Sequence, residues 1–184
     1  MHGPKGVGVL YVRKGVTLDP LVHGGKQEHG LRAGTENVPG IAGLGKAAAL
    51  AMQRLPEIGR IRRLRDRLEA GIRGIVPDAS LNGPLLERLP NTVNLTLPGL
   101  RGESVVLALD HLGVALSSGS ACRAGAAEPS HALLAMGLSA EEAHCALRFS
   151  LGPGNSEEEI DRTIELVGEM IGDTAAGVRF VPCR

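Results

Sequence analysis

The sequence predicts an α/β fold, a small sandwich in which helices cover one face of a sheet. Three observations carry this prediction. Residues Thr92–Leu97 alternate, with Val93, Leu95 and Leu97 on one side, as a half-buried strand requires. Two segments instead repeat apolar residues at spacings of three and four, the mark of a helix with one buried face. These are Ile58, Ile61, Leu64, Leu68 and Ile72, and then Ile160, Ile164, Val167 and Ile171. Between about Asp78 and Ile171 strand and helix patterns mix, some of them in βα order. A chain of 184 residues can bury a core as one domain, or as one domain plus part of another. With aromatics at 2% and Trp absent, that core must be aliphatic.

In chain order, Met1–Gly8 is a glycine-rich turn that runs straight into Val9–Val12. A phosphate-cradling loop follows a strand and opens a helix, so this reversed order argues against one. Residues 13–40 lack a period and hold His23-Gly-Gly-Lys-Gln-Glu28 and Gly30-Leu-Arg-Ala-Gly-Thr-Glu-Asn37. An irregular stretch of that length reads as a functional loop or a solvated one. Within it, Arg32 and Thr35 are donors suited to an oxyanion. Helix runs from Pro39 to about Ile75 and is interrupted near Pro56 and Gly59. Arg60, Arg63 and Arg67, with Asp66 and Glu69, lie off the apolar stripe of its second part and read as a solvated face.

Beyond Asp78 the pattern predicts a strand at Ala79–Asn82, the strand at Thr92–Leu97, a helix at Glu103–Leu112 and a strand at Val114–Leu116. A short helix over Pro129–Met136 is closed by Gly137, and Ser139-Ala-Glu-Glu142 is a capping box opening the next. Leu147–Leu151 reads as a strand, and Asn155 or Ser156 caps the last helix.

Basic and acidic residues balance at 20 each, which argues against nucleic-acid and membrane-surface partners. No apolar run approaches the roughly 18 residues that span a bilayer. Cys122, Cys145 and Cys183 are odd in number and lack CxxC spacing, which fits a reducing cytoplasm and no closed zinc site. Cys145 sits in a helical pattern and reads as a buried thiol, Cys183 as an exposed bystander. Cys122 differs from both. It lies in Leu116-Ser-Ser-Gly-Ser-Ala-Cys-Arg-Ala-Gly125, where small residues carry one thiol towards solvent and Arg123 modestly favours the thiolate. Such a loop delivers a nucleophile or merely holds a surface cysteine. His23, His29 and His131 are open to acid–base or structural roles.

Several motifs in order resemble the pyridoxal-phosphate-dependent cysteine desulfurases of the NifS/IscS type. They are His2-Gly-Pro-Lys-Gly6, His23-Gly-Gly25 with Gln27-Glu28, Arg32-Ala-Gly-Thr35, Ser117-Ser-Gly-Ser-Ala-Cys122, Pro129-Ser-His131 and Arg148-Phe-Ser-Leu-Gly152. Each is weak alone; the ordered set is specific. The resemblance implies part of a fold-type I transferase. Residues 1–40 would be the last strand and loop of the large cofactor domain, lining a dimer interface, and 41–76 the linking helices. Residues 77–172 would be the C-terminal small α/β domain with the cysteine loop, and 173–184 a tail.

The resemblance also implies chemistry. L-cysteine would yield L-alanine and a persulfide on Cys122, destined for an iron–sulfur scaffold or another sulfur-acceptor protein, with pyridoxal 5'-phosphate as electron sink. Arg148 matches the arginine that binds the substrate carboxylate, and Thr35 the threonine that reaches the cofactor phosphate across a homodimer. The family's Schiff-base lysine stands two residues before the position of His2, and Lys5 matches a second, non-catalytic lysine. The chain is therefore expected to be inactive alone. A non-enzymatic persulfide relay and a partner-docking module are the alternatives. Without its neighbours, Val7–Val12 is expected to be an unpaired strand prone to disorder or self-association.

Overall fold

The computed structural model describes residues 2–119 and 128–175 (for 173–175, the backbone only), which fall into two compact units, Met1–Pro56 and Glu57–Arg184. Cys122, Arg123 and Cys183 lie outside the described residues.

The first unit is built around one helix, α1 (Val38–Gln53). Asn37 caps it by accepting from the Gly40 amide at 3.1 Å, and Pro39 sits at its start, where a missing N–H does no harm. The Asn37 amide also donates to Gly6 O at 3.4 Å, and the first residues lie along the helix. A Cβ at Gly43 would collide with Pro4, so glycine permits that approach. Among the described residues this unit has no β-strand. The strand expected over Val7–Val12 is not formed; Val9, Leu10 and Tyr11 are exposed, and no neighbouring strand pairs with them.

The second unit holds the sheet. Helix α2 (Ile58–Ile75) follows a 3-10 turn at Leu55–Glu57, so the break expected near Pro56 occurs there, while Gly59 lies inside the helix. Four strands follow, β1 (Ser80–Leu81), β2 (Thr92–Thr96), β3 (Ser117–Ser118) and β4 (Ala146–Ser150), in the order β1-β2-β4-β3 with every pair antiparallel. The remaining helices are α3 (Gly102–His111), α4 (His131–Ala135), α5 (Ala140–His144) and α6 (Glu157–Ala175).

Alternation decides which face of the sheet is dry. Val93, Leu95 and Leu97 from β2 and its end meet Leu147, Phe149 and Leu151 from β4 and its end. Against them pack Leu64, Leu68 and Ile72 of α2, Val105 and Leu109 of α3, and Ile160, Leu166 and Val167 of α6. The helices thus cover one face, as the α/β prediction requires. On the opposite face, among the described residues, one end is covered, where Ala146 packs with Leu133 of α4 and Ala143 of α5.

Local signals explain the helix ends. Ser139 and Glu142 form the capping box of α5, with Ser139 N–H donating to the Glu142 carboxylate at 2.7 Å. Ser156 caps α6 in the same way, accepting from the Glu159 amide at 3.2 Å. Two expectations fail here. The strand predicted over Val114–Leu116 forms instead at Ser117–Ser118, because β4 offers its free edge at that register. The arginines of α2 are also not simply a solvated face. Arg60 donates to the carbonyls of Pro153 and Asn155 at 2.6 and 2.7 Å, and Glu69 is buried against Arg88.

Candidate functional site

The polar face of the sheet carries the site. In an antiparallel ladder, directly opposed residues share a face. Arg148 of β4 is opposed by Asn94 of β2 on one side and by Ser117 of β3 on the other. Asn82, just past β1, continues the line, since its amide donates to Asn94 O. One polar residue per strand thus crosses the whole sheet, Asn82–Asn94–Arg148–Ser117.

Arg148 is half-buried and donates from Nη2 to Ser117 Oγ at 3.4 Å. Its Nε is fully shielded yet has no hydrogen-bond partner, and no ion pair of Arg148 occurs among the described residues. A shielded donor without an acceptor is costly, and an anion with two oxygens is its natural complement. The Asn82 side chain donates to Asn94 Oδ1 at 2.7 Å and to Thr96 Oγ1 at 2.9 Å. This fixes the Asn94 amide with its oxygen turned to Asn82.

Ser117 is also where the cysteine loop leaves the sheet. Gly119 N–H donates to Ala146 O at 2.9 Å, carrying the chain one residue past β3. A Cβ at Gly119 would meet Ala143 O and Leu133 Cδ1, both at 3.0 Å, so only glycine passes between the sheet and α4–α5 without displacing them. Cys122 lies beyond this point, outside the described residues.

Thr35 belongs to the other unit, in an exposed loop. Beside it Gly34 N–H donates to Gln27 Oε1 at 3.1 Å, and Arg32 donates to Ala33 O. His23, His29 and His131 are exposed. Cys145 is buried, as expected, but in a disulfide rather than as a free thiol. Among the described residues no group of three or more His, Cys, Asp or Glu side chains could hold a metal ion.

A pyridoxal phosphate site is testable on these residues. The guanidinium of Arg148 is of a kind that pairs with carboxylates. Of a cofactor site the described residues supply only part. Lys5, Lys14, Lys26 and Lys46 are all exposed, whereas a Schiff-base amine is activated in a desolvated pocket, and Thr35 offers a single exposed hydroxyl. The sequence singled out Arg148 but not its sheet neighbours Asn94 and Asn82. Alternation placed Asn94 on the polar face, but nothing in the sequence indicated which strand β2 would pair with.

The chain belongs to the aminotransferase class-V family, whose pattern matches residues 1–163. Within that family it resembles cysteine desulfurases of the NifS/IscS type. It is 50% identical over 172 residues to a cysteine desulfurase of Nostoc sp. (strain PCC 7120), covering 93% of this chain and 43% of that protein. It is 49% identical over 173 residues to the cysteine desulfurase IscS of Clostridium botulinum (strain Hall), covering 92% and 44%. A solved NifS-like protein superposes with a TM-score of 0.81 at 39% identity, covering 93% of this chain and 44% of the other. The chain thus spans less than half the length of the relatives it matches.

Proposed function

We propose that this chain is the sulfur-handling half of a cysteine desulfurase, converting L-cysteine and the Cys122 thiol into L-alanine and a Cys122 persulfide. The balance closes within those reactants. The substrate C–S bond breaks and an S–S bond forms on Cys122; the carbon is reduced as the enzyme sulfur is oxidised, and one thiol hydrogen ends on alanine. The carrying observation is the shielded, unpartnered Nε of Arg148 beside Ser117, the first residue of the cysteine loop. Arg148 binds the substrate carboxylate. Cys122 is five residues beyond Ser117, so covalent geometry keeps it within about 18 Å of a residue that touches that arginine.

The lysine-bearing half, with most of the pyridoxal phosphate contacts, comes from sequence outside this chain. Thr35 contributes to the phosphate site across a homodimer of the full-length form. The persulfide sulfur passes to an iron–sulfur scaffold or another acceptor protein.

The test is alanine formation from L-cysteine, measured with the purified chain alone and after mixing with the complementary half and pyridoxal phosphate. Alanine should form only in the mixture, vanish in Cys122→Ser, and require more L-cysteine in Arg148→Ala. Turnover by the chain alone, or full activity in Cys122→Ser, would sink the proposal.

A further inference from the structure

We propose that Asn94 is a second substrate-binding residue, donating its side-chain amide to the same carboxylate as Arg148, and that Asn82 is the positioning residue that turns the amide to do so. The inference rests on the carboxylate-binding reading of Arg148.

Asn94 and Arg148 are direct cross-strand partners on the polar face of the sheet, so their Cβ atoms stand roughly 5 Å apart and their side chains share one space. On the far side of Arg148, Ser117 takes the Nη2 donor. The shielded Nε of Arg148 has no acceptor among the described residues. An arginine anchored by one donor and left with another free is prepared for an incoming oxygen.

The orientation of Asn94 follows from its neighbours. Its carbonyl oxygen accepts from Asn82 Nδ2 at 2.7 Å, and Asn82 is held in turn by Thr96 Oγ1, which sits within reach of both ends of the Asn82 amide. Thr96 is buried and also faces Glu142 O at 3.5 Å, so the network is tied to α5. Once the Asn94 oxygen is committed to Asn82, its amino group is the only end left for a ligand, and it makes no hydrogen bond among the described residues. An amide free to flip would present its oxygen to a carboxylate half the time; this one keeps its bond to Asn82 on flipping only if Asn82 flips with it. Donors from two strands, one charged and one neutral, would fix the plane of a carboxylate more tightly than a guanidinium alone.

A titration of the full chain with L-alanine, followed by NMR at the Arg148 Nε–H and the Asn94 side-chain amide, tests this without cofactor or turnover. Alaninol, which keeps the amine and lacks the carboxylate, is the control. The expected result is that both resonances move together with L-alanine and neither moves with alaninol. Asn94→Ala should weaken binding about tenfold, the usual effect of losing one hydrogen bond to a charged group. Asn94→Asp should weaken it further, because the new carboxylate competes for Arg148. Asn82→Ala should reduce affinity only a few-fold, shrinking the Asn94 shift while leaving the Arg148 shift in place. That split is one a merely structural role for Asn82 would not produce. Backbone amide spectra show whether each variant has kept its fold. If Arg148 responds and Asn94 does not, this inference fails and the Arg148 reading stands. If neither responds, the carboxylate reading itself fails, and this inference with it.

Discussion

The two units of this chain have similar aliphatic content but handle it in opposite ways. Among the described residues of Glu57–Arg184, Leu64, Leu68, Ile72, Leu95, Leu97, Leu109 and Leu147 are essentially sealed from solvent. Among the described residues of Met1–Pro56 the buried apolar side chains are only Ala33 and Ala47, whereas Tyr11 is 84% exposed and Leu21 97%. Helix α1, for all its Ala, Leu and Ile, leaves Val38, Ile41, Leu50 and Met52 exposed. Hydrophobic residues do not make a core by themselves. They need a second layer, and only the second unit has a sheet for its helices to rest on.

The largest effect that could break this comparison is a cavity. Leu147→Ala or Leu95→Ala removes a side chain with no exposed area from the centre of the sheet. Such a change should destabilise by about 2–5 kcal/mol in a denaturant titration, with the lost contacts incompletely refilled. Leu21→Ala should shift stability by no more than about 0.5 kcal/mol. Comparable losses at Leu147 and Leu21 would mean that the first unit is stabilised by something its burial does not reveal.

A smaller effect sharpens the comparison through glycine. Gly102 opens α3 against the sheet, and a Cβ there would lie 2.8 Å from Ala146 O and 3.1 Å from His144 O, both rigid backbone atoms. Gly102→Ala should therefore cost about 1–3 kcal/mol by overpacking. Gly8 in the first unit has nothing within 4 Å of the same position and no positive φ. Gly8→Ala should be neutral, or stabilise by about 0.4–1 kcal/mol by restricting the unfolded chain. A cost at Gly8 equal to that at Gly102 would refute the difference in packing.

The same contrast explains what the sequence could convey. The strand Thr92–Leu97 and the stripes of α2 and α6 were legible because each has a single buried face, and period alone identifies it. The capping box at Ser139 was legible because it involves residues three apart, and the cap of α6 was narrowed to Asn155 or Ser156. What could not be read is what depends on partners distant in sequence. Val114–Leu116 is apolar enough for a strand, but the edge of β4 meets Ser117 and Ser118 instead. Val7–Val12 has strand composition with no strand to join. Arg60 looked like a surface charge until the turn after β4 placed two carbonyls against it. Of the proposed site, Arg148 was singled out through a family motif. Asn94 and Asn82 became meaningful only once the β2–β4 register was in hand.

A third, weaker probe concerns pH. Glu142 is held below the ordinary glutamate value, first by the Ser139 backbone N–H and then by the Ser139 hydroxyl. A carboxyl with a lowered folded pKa contributes stability that is fully present above its unfolded value, about 4.3. That contribution is lost as pH falls through the lowered folded value. Glu142→Gln should therefore be less stable than the parent at neutral pH and converge with it in acid, as thermal melts across that range would show. A constant gap at every pH would mean that the carboxylate charge plays no part in the cap.

The smallest expected effect lies between α2 and α6, where Arg67 forks onto Asp161 through two bonds of 2.7 Å and reaches Glu157 at 3.2 Å. The Asp161 hydrogen bond, followed by its charge, raises the Arg67 pKa, but every member of the network is exposed to solvent and counter-ions. Beneath it the same two helices are already joined by Leu64, Leu68 and Leu166. If apolar packing accounts for the order of this unit, Arg67→Ala should lower the melting temperature slightly at low salt and not at all near 1 M salt, where screening acts within about 3 Å. A large, salt-independent loss would shift the explanation of the two units from buried area to ion pairing, since no such network spans the exposed apolar residues of Met1–Pro56 among the described residues.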